Sequence, residues 1–157
     1  MKSKILICIL FFPFSFFAQG KKEIKKNKIK SMLVTSEESG KVSNDSKVSF
    51  NADGTIAEEV EFDKNGEIKS IIKYKYNNAG DVIDEIESDK SGKQLQRKQS
   101  KYNGLGEKIE DVVYDGTNKI TKRHLYTYDK RGLKIERVTL DASGKMLSLK
   151  KYVYDSK

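Results

Sequence analysis

The feature that most restricts the fold of this chain is a series of Asx residues at Asn51, Asp63, Asn77, Asp89, Asn103, Asp115, Asp129, Asp141 and Asp155, spaced alternately by 12 and 14 residues. Each of the eight complete copies has Gly three positions on, except that Asn118 takes that place once. Asx at the first position and Gly at the fourth specify a type I turn whose last residue is left-handed and forms a bulge, and Asn is the best non-glycine residue for that conformation. These are hairpin loops, and they divide the chain into 26-residue units of two hairpins each. Upstream, Glu37-Glu38-Ser39-Gly40 falls 14 residues before Asn51 and reads as a degenerate first turn.

Removing four residues per turn leaves segments of eight and ten residues rich in Val, Ile, Tyr and Phe, which is ordinary strand length and composition. No segment from Val42 onward has the length or 3.6-residue period that a helix needs. The expected fold is all-β: an antiparallel meander of about 8–10 strands built from 26-residue double-hairpin repeats, forming a single twisted or curled sheet. In the short segments Ile56, Val60 and Phe62, then Val82 and Ile86, Val112 and Tyr114, and Val138 and Leu140 share a face. In the long segments Ile68, Ile72, Tyr74 and Tyr76, then Ile120, Tyr126 and Tyr128 with His124 between them, do the same. The middle long segment offers only Gln94, Gln96, Lys98 and Ser100 there, so residues 93–101 are expected to be soft. The extra glycines Gly104 and Gly116 mark their turns as the most mobile. The opposite face is expected to carry acids from the short strands (Glu59, Glu61, Glu85, Glu87, Asp111) against bases from the long ones (Lys69, Lys73, Lys75, Arg97, Arg123), a pattern that opposes register slips. Such a meander, apolar on one side, has to curl, pair with a copy or lie against a partner.

The first residues are of another kind. Lys2 and Lys4 precede an apolar run from Ile5 to Phe17, with Ala18 at a cleavage point, so residues 1–18 read as a secretory signal peptide and the chain as secreted or periplasmic. Once that segment is removed no transmembrane span is expected. Cys8 sits inside the run, so the mature chain has no cysteine, and disulfides, thiol nucleophiles and thiolate metal sites are excluded. Most of the net charge of +8 resides in a tail, the rest mainly in Lys2 and Lys4: Lys21, Lys22, Lys25, Lys26, Lys28 and Lys30 oppose only Glu23, and beyond them 23 basic residues meet 22 acidic ones. Residues 19–34 are therefore expected to be a basic, poorly ordered segment, with a short helix over Lys21–Met32 as the alternative, and 35–157 the β-hairpin repeat domain; no specific nucleic-acid partner is implied.

The openings Tyr74-Lys75-Tyr76-Asn77, Tyr126-Thr127-Tyr128-Asp129 and Tyr152-Val153-Tyr154-Asp155 resemble those of the YD-repeat, or RHS-repeat, proteins of bacteria, over roughly residues 48–155. The resemblance implies hairpins laid side by side in a spiralling sheet. In large members of that family the sheet encloses a toxin, and others are associated with surface or carbohydrate contact. This chain is too short for a shell and has no toxin module, so the resemblance implies architecture before function.

Catalytic signatures are missing. His124 is the lone histidine and has no motif context, the turn aspartates are explained by their turns, and phosphate loops, zinc spacings and nucleotide fingerprints do not occur. No cofactor is expected. The aromatic column Phe50, Tyr76, Tyr102, Tyr128 and Tyr154 has two readings: packing just before each turn, or a ladder for stacking on sugar rings or an extended polymer. The expectation is an exported, non-enzymatic binding or structural module at the cell envelope or outside the cell, contacting polysaccharide or protein. Self-association through an edge strand near Tyr152–Tyr154 is also expected. The alternative is an enzyme or enzyme inhibitor with its site on the sheet edge or concavity. An outer-membrane barrel is disfavoured, since its lipid-facing side would carry Lys or Glu.

Overall fold

The computed structural model describes residues 17–38 and 40–155. The proposed signal peptide lies outside these except for Phe17 and Ala18. One short helix, α1 (Phe17–Lys26), precedes ten strands: β1 (Ser31–Glu38), β2 (Lys41–Phe50), β3 (Ile56–Phe62), β4 (Ile68–Tyr76), β5 (Val82–Ser88), β6 (Gln94–Tyr102), β7 (Lys108–Asp115), β8 (Ile120–Tyr128), β9 (Lys134–Asp141) and β10 (Met146–Lys151). They form a single antiparallel sheet in sequence order from β1 to β10, and it does not close into a barrel. This is the all-β meander that the turn spacing predicts.

The turns are built as their residues require. At Asp63 the backbone N–H donates to Glu67 O at 2.8 Å, Gly66 N–H donates to Asp63 O at 2.9 Å, and the Asp63 carboxylate accepts from the N–H groups of Asn65 and Glu67. The same bonds recur at each later turn through Asp141. The fourth residue is left-handed, with φ 78° at Gly66 and 62° at Asn118, the one copy without glycine.

A second irregularity follows every one of these turns. Phe62 pairs with Ile68 but Glu61 pairs with Ser70, so Lys69 is an extra residue in β4. Ala57, Ile83, Leu95, Ile109, Thr121, Ile135 and Leu147 are the equivalent extra residues in the other strands. One inserted residue inverts which side chains of neighbouring strands share a face. The expected division into an apolar and a charged face is thereby overturned. Glu59, Glu61, Glu85, Glu87 and Asp111 lie on the face of Tyr74, His124 and Tyr126, while Val60, Ile86, Val112 and Val138 lie with Lys73, Arg97 and Arg123. The two sides are called here the tyrosine face and the opposite face.

Neither face is an apolar core. Among the described residues the buried hydrophobic side chains are Val48, Val82, Val112 and Val113, and Ser70, Asp84, Ser100, Glu110, Asp111 and Thr139 are buried with them. The strand expected to be soft is instead tied on both sides. Arg97 makes a bidentate pair with Asp84 at 2.8 Å, Ser100 donates to Asp111 at 2.6 Å, and Gln94 Nε2 donates to Asp115 O and Asn118 Oδ1 at 3.0 Å. That last contact also pins the turn at Gly116, where a Cβ would collide with Gln94 O.

The basic leading segment is also more regular than its charge predicts. Helix α1 ends in a Schellman motif, with Ile29 N–H donating to Ile24 O, Lys28 N–H to Lys25 O, and Lys28 left-handed at φ 53°. The helix sits on the first Asn turn so closely that a Cβ on Gly54 would strike Lys21 O. Phe50 N–H donates to Lys30 O at 2.9 Å, and β1 starts at Ser31, ahead of the boundary expected at residue 35. Ile24 and Ile29 line a crevice with Phe50 beside the lysines of this segment.

The turn carboxylates make a pH test. Asp89, Asp115 and Asp141 are held below the usual aspartate range, first by the hydroxyls of Ser91, Thr117 and Ser143, and Asp129 first by the Leu133 N–H. A depressed folded-state pKa contributes stability above the unfolded value that is lost as pH falls through the folded one. Changing all four to Asn, which already opens the turns at 51, 77 and 103, is expected to keep the fold and flatten the loss of stability from about pH 4 to pH 2. Urea unfolding midpoints across that range check it; an unchanged acid slope refutes it.

Candidate binding face

The aromatic column runs along one end of the tyrosine face. Tyr76 OH donates to Ile56 O at 2.8 Å, Tyr102 OH to Val82 O at 3.0 Å, Tyr128 OH to Lys108 O at 2.9 Å and Tyr154 OH to Lys134 O at 2.8 Å. Each bond spans 20 residues; the first three join the end of a long strand to the start of the preceding short strand, and Tyr154, just past β10, reaches the start of β9 in the same way. Phe50 occupies the same place without a hydroxyl and lines a crevice with Ile24, Ile29 and Ala52. Tyr76, Tyr102 and Tyr128 are half-buried, and Tyr154 is exposed. Burial raises the phenols of Tyr76 and Tyr102 to about 12, so both stay protonated donors at neutral pH.

Beside this column lies a band of half-buried polar side chains that strict alternation along each strand would place on opposite faces. Tyr74 OH donates to Glu59 Oε2 at 3.2 Å and Tyr126 OH to Asp111 Oδ2 at 2.7 Å. Burial raises Glu59 and Glu87 above the ordinary glutamate range. Asp111 goes the other way: burial pushes it up most, but the Ser100 hydroxyl, Lys108 and Tyr126 together hold it below the ordinary value. Lys98 and Glu85 form an ion pair at 2.7 Å. His124 Nδ1 is 3.0 Å from Thr139 Oγ1, and its pKa is lowered by burial and then by Arg137 and Lys122.

The band is polarised. Over β3 and β5 it presents Glu59, Glu61, Glu85 and Glu87; over β6 to β9 it presents Lys98, Lys122, His124 and Arg137 around Asp111. Lys108 Nζ lies 5.7 Å from the centroid of Tyr102, and Lys134 Nζ 4.6 Å from that of Tyr126. At the column's end of the sheet the extra residues Ile83, Ile109 and Ile135 are exposed at a 26-residue spacing. No group of three or more His, Cys, Asp or Glu suited to a metal ion occurs among the described residues. Nor is any helix among them long and apolar enough to cross a membrane.

No protein-family model and no curated protein matches the chain. Among solved structures it is similar to TarM (12% identity, TM-score 0.32, covering 80% of this chain and 22% of TarM). It is also similar to an S. aureus TarM mutant in complex with Fondaparinux, alpha-GlcNAc-glycerol and UDP (15% identity, TM-score 0.32, 85% and 26% covered). A third is a Bacteroides fragilis protein with unknown function, BF3112 (16% identity, TM-score 0.21, 80% and 93% covered). The chain spans about a quarter of the length of the TarM chains, and overlaps this low say nothing of function.

The column gives a stability test. Tyr128→Phe keeps the ring but leaves Lys108 O without its donor, and is expected to cost about 0.5–1.5 kcal/mol. Phe50→Tyr, at the place where α1 substitutes for the bond, is expected to gain nothing. Equilibrium urea unfolding of the two variants measures both; a silent Tyr128→Phe would show that the hydroxyls do not fasten the hairpins.

Proposed function

We propose that the chain is an exported, non-enzymatic β-repeat module of the YD-repeat type that binds polysaccharide or an envelope protein at the bacterial cell envelope or outside the cell. The observation that carries this reading is the tyrosine face: rings fixed by hydroxyl-to-carbonyl bonds, set beside a polarised band of hydrogen-bonded carboxylates, hydroxyls and cations on an open sheet. With their hydroxyls committed to the backbone, Tyr76, Tyr102 and Tyr128 offer a ligand their ring surfaces, and they do so at a regular spacing. Rigid rings beside adaptable hydroxyl and charged groups suit a ligand that alternates apolar ring faces with hydroxyls, as sugars do. The acids and the histidine already have internal duties: Asx bonding in the turns, Tyr74 on Glu59, Tyr126 and Ser100 on Asp111, Thr139 on His124. Export rests on the charged and apolar start of the chain, Lys2 to Phe17.

Copies are also proposed to associate by strand addition. All six residues of β10 are exposed, Leu147 and Leu149 among them.

A screen of the purified protein against glycans and cell-envelope polymers tests the main reading. Tyr102→Ala and Tyr128→Ala are each expected to weaken the binding found by about 2- to 10-fold, and the Tyr→Phe changes to leave it unchanged. Hydrolysis of a glycan that falls on changing a turn Asp to Asn would overturn the proposal, as would the absence of any polymer ligand.

A further inference from the structure

The repeat places a carboxylate at equivalent points of successive short strands, Glu59, Glu85 and Asp111, and then places Arg137 at the fourth. In the first and third copies the tyrosine 15 residues on donates to that carboxylate. In the second copy Ser100 stands where the tyrosine would be, and Glu85 takes Lys98 instead. In the fourth copy Tyr152 stands 15 residues on, and no hydrogen bond joins its hydroxyl to the guanidinium that replaces the carboxylate. Arg137 Nε is buried with no hydrogen-bond partner among the described residues.

The neighbours of Arg137 on this face do not supply the missing acceptor. The register sets Tyr126 opposite it on β8 and Lys150 opposite it on β10. One pair away are His124 and Thr139, already bonded to each other, and beyond them Lys122 faces Asp141. Asp141 Oδ1 is taken up by its own turn, and Asp111 is engaged by Ser100, Tyr126 and, at 3.3 Å, Lys108. Lys134 lies on the Tyr126 ring close enough to Lys108 that burial and then that neighbour lower its pKa. Arg137, Lys122, Lys134 and Lys108 thus outnumber the acids near them, Asp111 and Asp141, and neither acid bonds to Arg137. Nε itself is closed to solvent, so an incoming anion meets the outer nitrogens of the guanidinium and supplies the counter-charge that the fold does not.

We infer that Arg137 anchors an anion site on the tyrosine face that takes the carboxylates of an acidic polysaccharide, a ligand class that rests on the proposed reading of the chain as a polymer-binding module. The guanidinium fork matches a carboxylate bidentately. The two lysine-capped tyrosines, Lys134 on Tyr126 and Lys108 on Tyr102, continue the positive track across neighbouring strands and suit a polymer with recurring charge better than one small anion. An acidic peptide is the poorer fit. On this face β6 to β9 have their backbone groups already paired, so a peptide main chain finds no ladder to join.

Isothermal titration of the purified protein with polygalacturonate, neutral dextran and polyglutamate tests the inference. Polygalacturonate is expected to bind, more weakly as salt rises, and Arg137→Glu to lose about 10-fold or more. That variant restores the carboxylate which the repeat carries elsewhere, so its melting temperature is expected to hold or rise. Arg137→Gln is the second variant, with the same loss of binding expected. Lys73→Gln on the opposite face is expected to bind as the parent does. Polyglutamate binding as tightly as polygalacturonate, or polygalacturonate binding unchanged in either Arg137 variant, would overturn the site. Dextran bound with no preference for the uronate polymer would sink this inference and leave the module reading standing, whereas no polysaccharide bound at all would sink both.

Discussion

The four-residue Asx turn and the single extra residue behind it govern everything else in this sheet. The turn fixes where the chain reverses, and the extra residue fixes which side chains meet after it has reversed. A hairpin without that insertion would place Val60 beside Ser70 and Ile72, on one apolar stripe. With it, Glu59 meets Ile72 and Val60 meets Ile71. Repeated after every turn from Asn51 to Asp141, the insertion distributes apolar and charged side chains over both faces. This is how a ten-stranded sheet remains open without presenting a continuous apolar surface to water.

Such a sheet cannot rest on a core, because little apolar surface is fully withdrawn from solvent. Its cohesion is local: ladder bonds, Asx bonds in the turns, cross-strand ion pairs, and the tyrosine hydroxyls that fasten each double hairpin to the one before. The tyrosines are the tie that recurs in every unit: four times a hydroxyl reaches a carbonyl 20 residues back, and so links successive turns at the same end. Where the first tie would fall the chain has Phe50, and α1 with its apolar residues takes over. The helix therefore seats on the first regular turn, while the outer strand of the sheet is β1.

The sequence revealed the positions of the corners and the count and order of strands, because Asx and Gly act locally and their spacing is regular. It did not reveal the pairing of faces. A bulge adds one residue without any residue type that must announce it: the extra position holds Ala57, Lys69 and Thr121 as well as Ile and Leu. The polar Gln94, Gln96, Lys98 and Ser100 make strand β6 read as soft, but Gln94, Lys98 and Ser100 each have a partner that only the register reveals. The tyrosine column was legible as a column, while its carbonyl partners were not, since they lie a full hairpin away. Arg137 was missed altogether. Aligning the units at 26-residue intervals would have exposed it as the one base at an acidic position.

That last point bears on where specificity can reside in a molecule built this way. Because a strand touches only its sequence neighbours, a change in one unit perturbs that unit and the next, and the remainder is indifferent to it. The turns and the staples cannot vary without loosening the sheet. Interior positions of the tyrosine face can, and they do: Ile72, Lys98, His124 and Lys150 are equivalent, as are Ser70, Gln96, Lys122 and Ser148. The units thus share a frame and differ in the chemistry they display, which makes the departures from the repeat, rather than the repeat itself, the residues that set the surface of this sheet apart from that of any other built on the same frame.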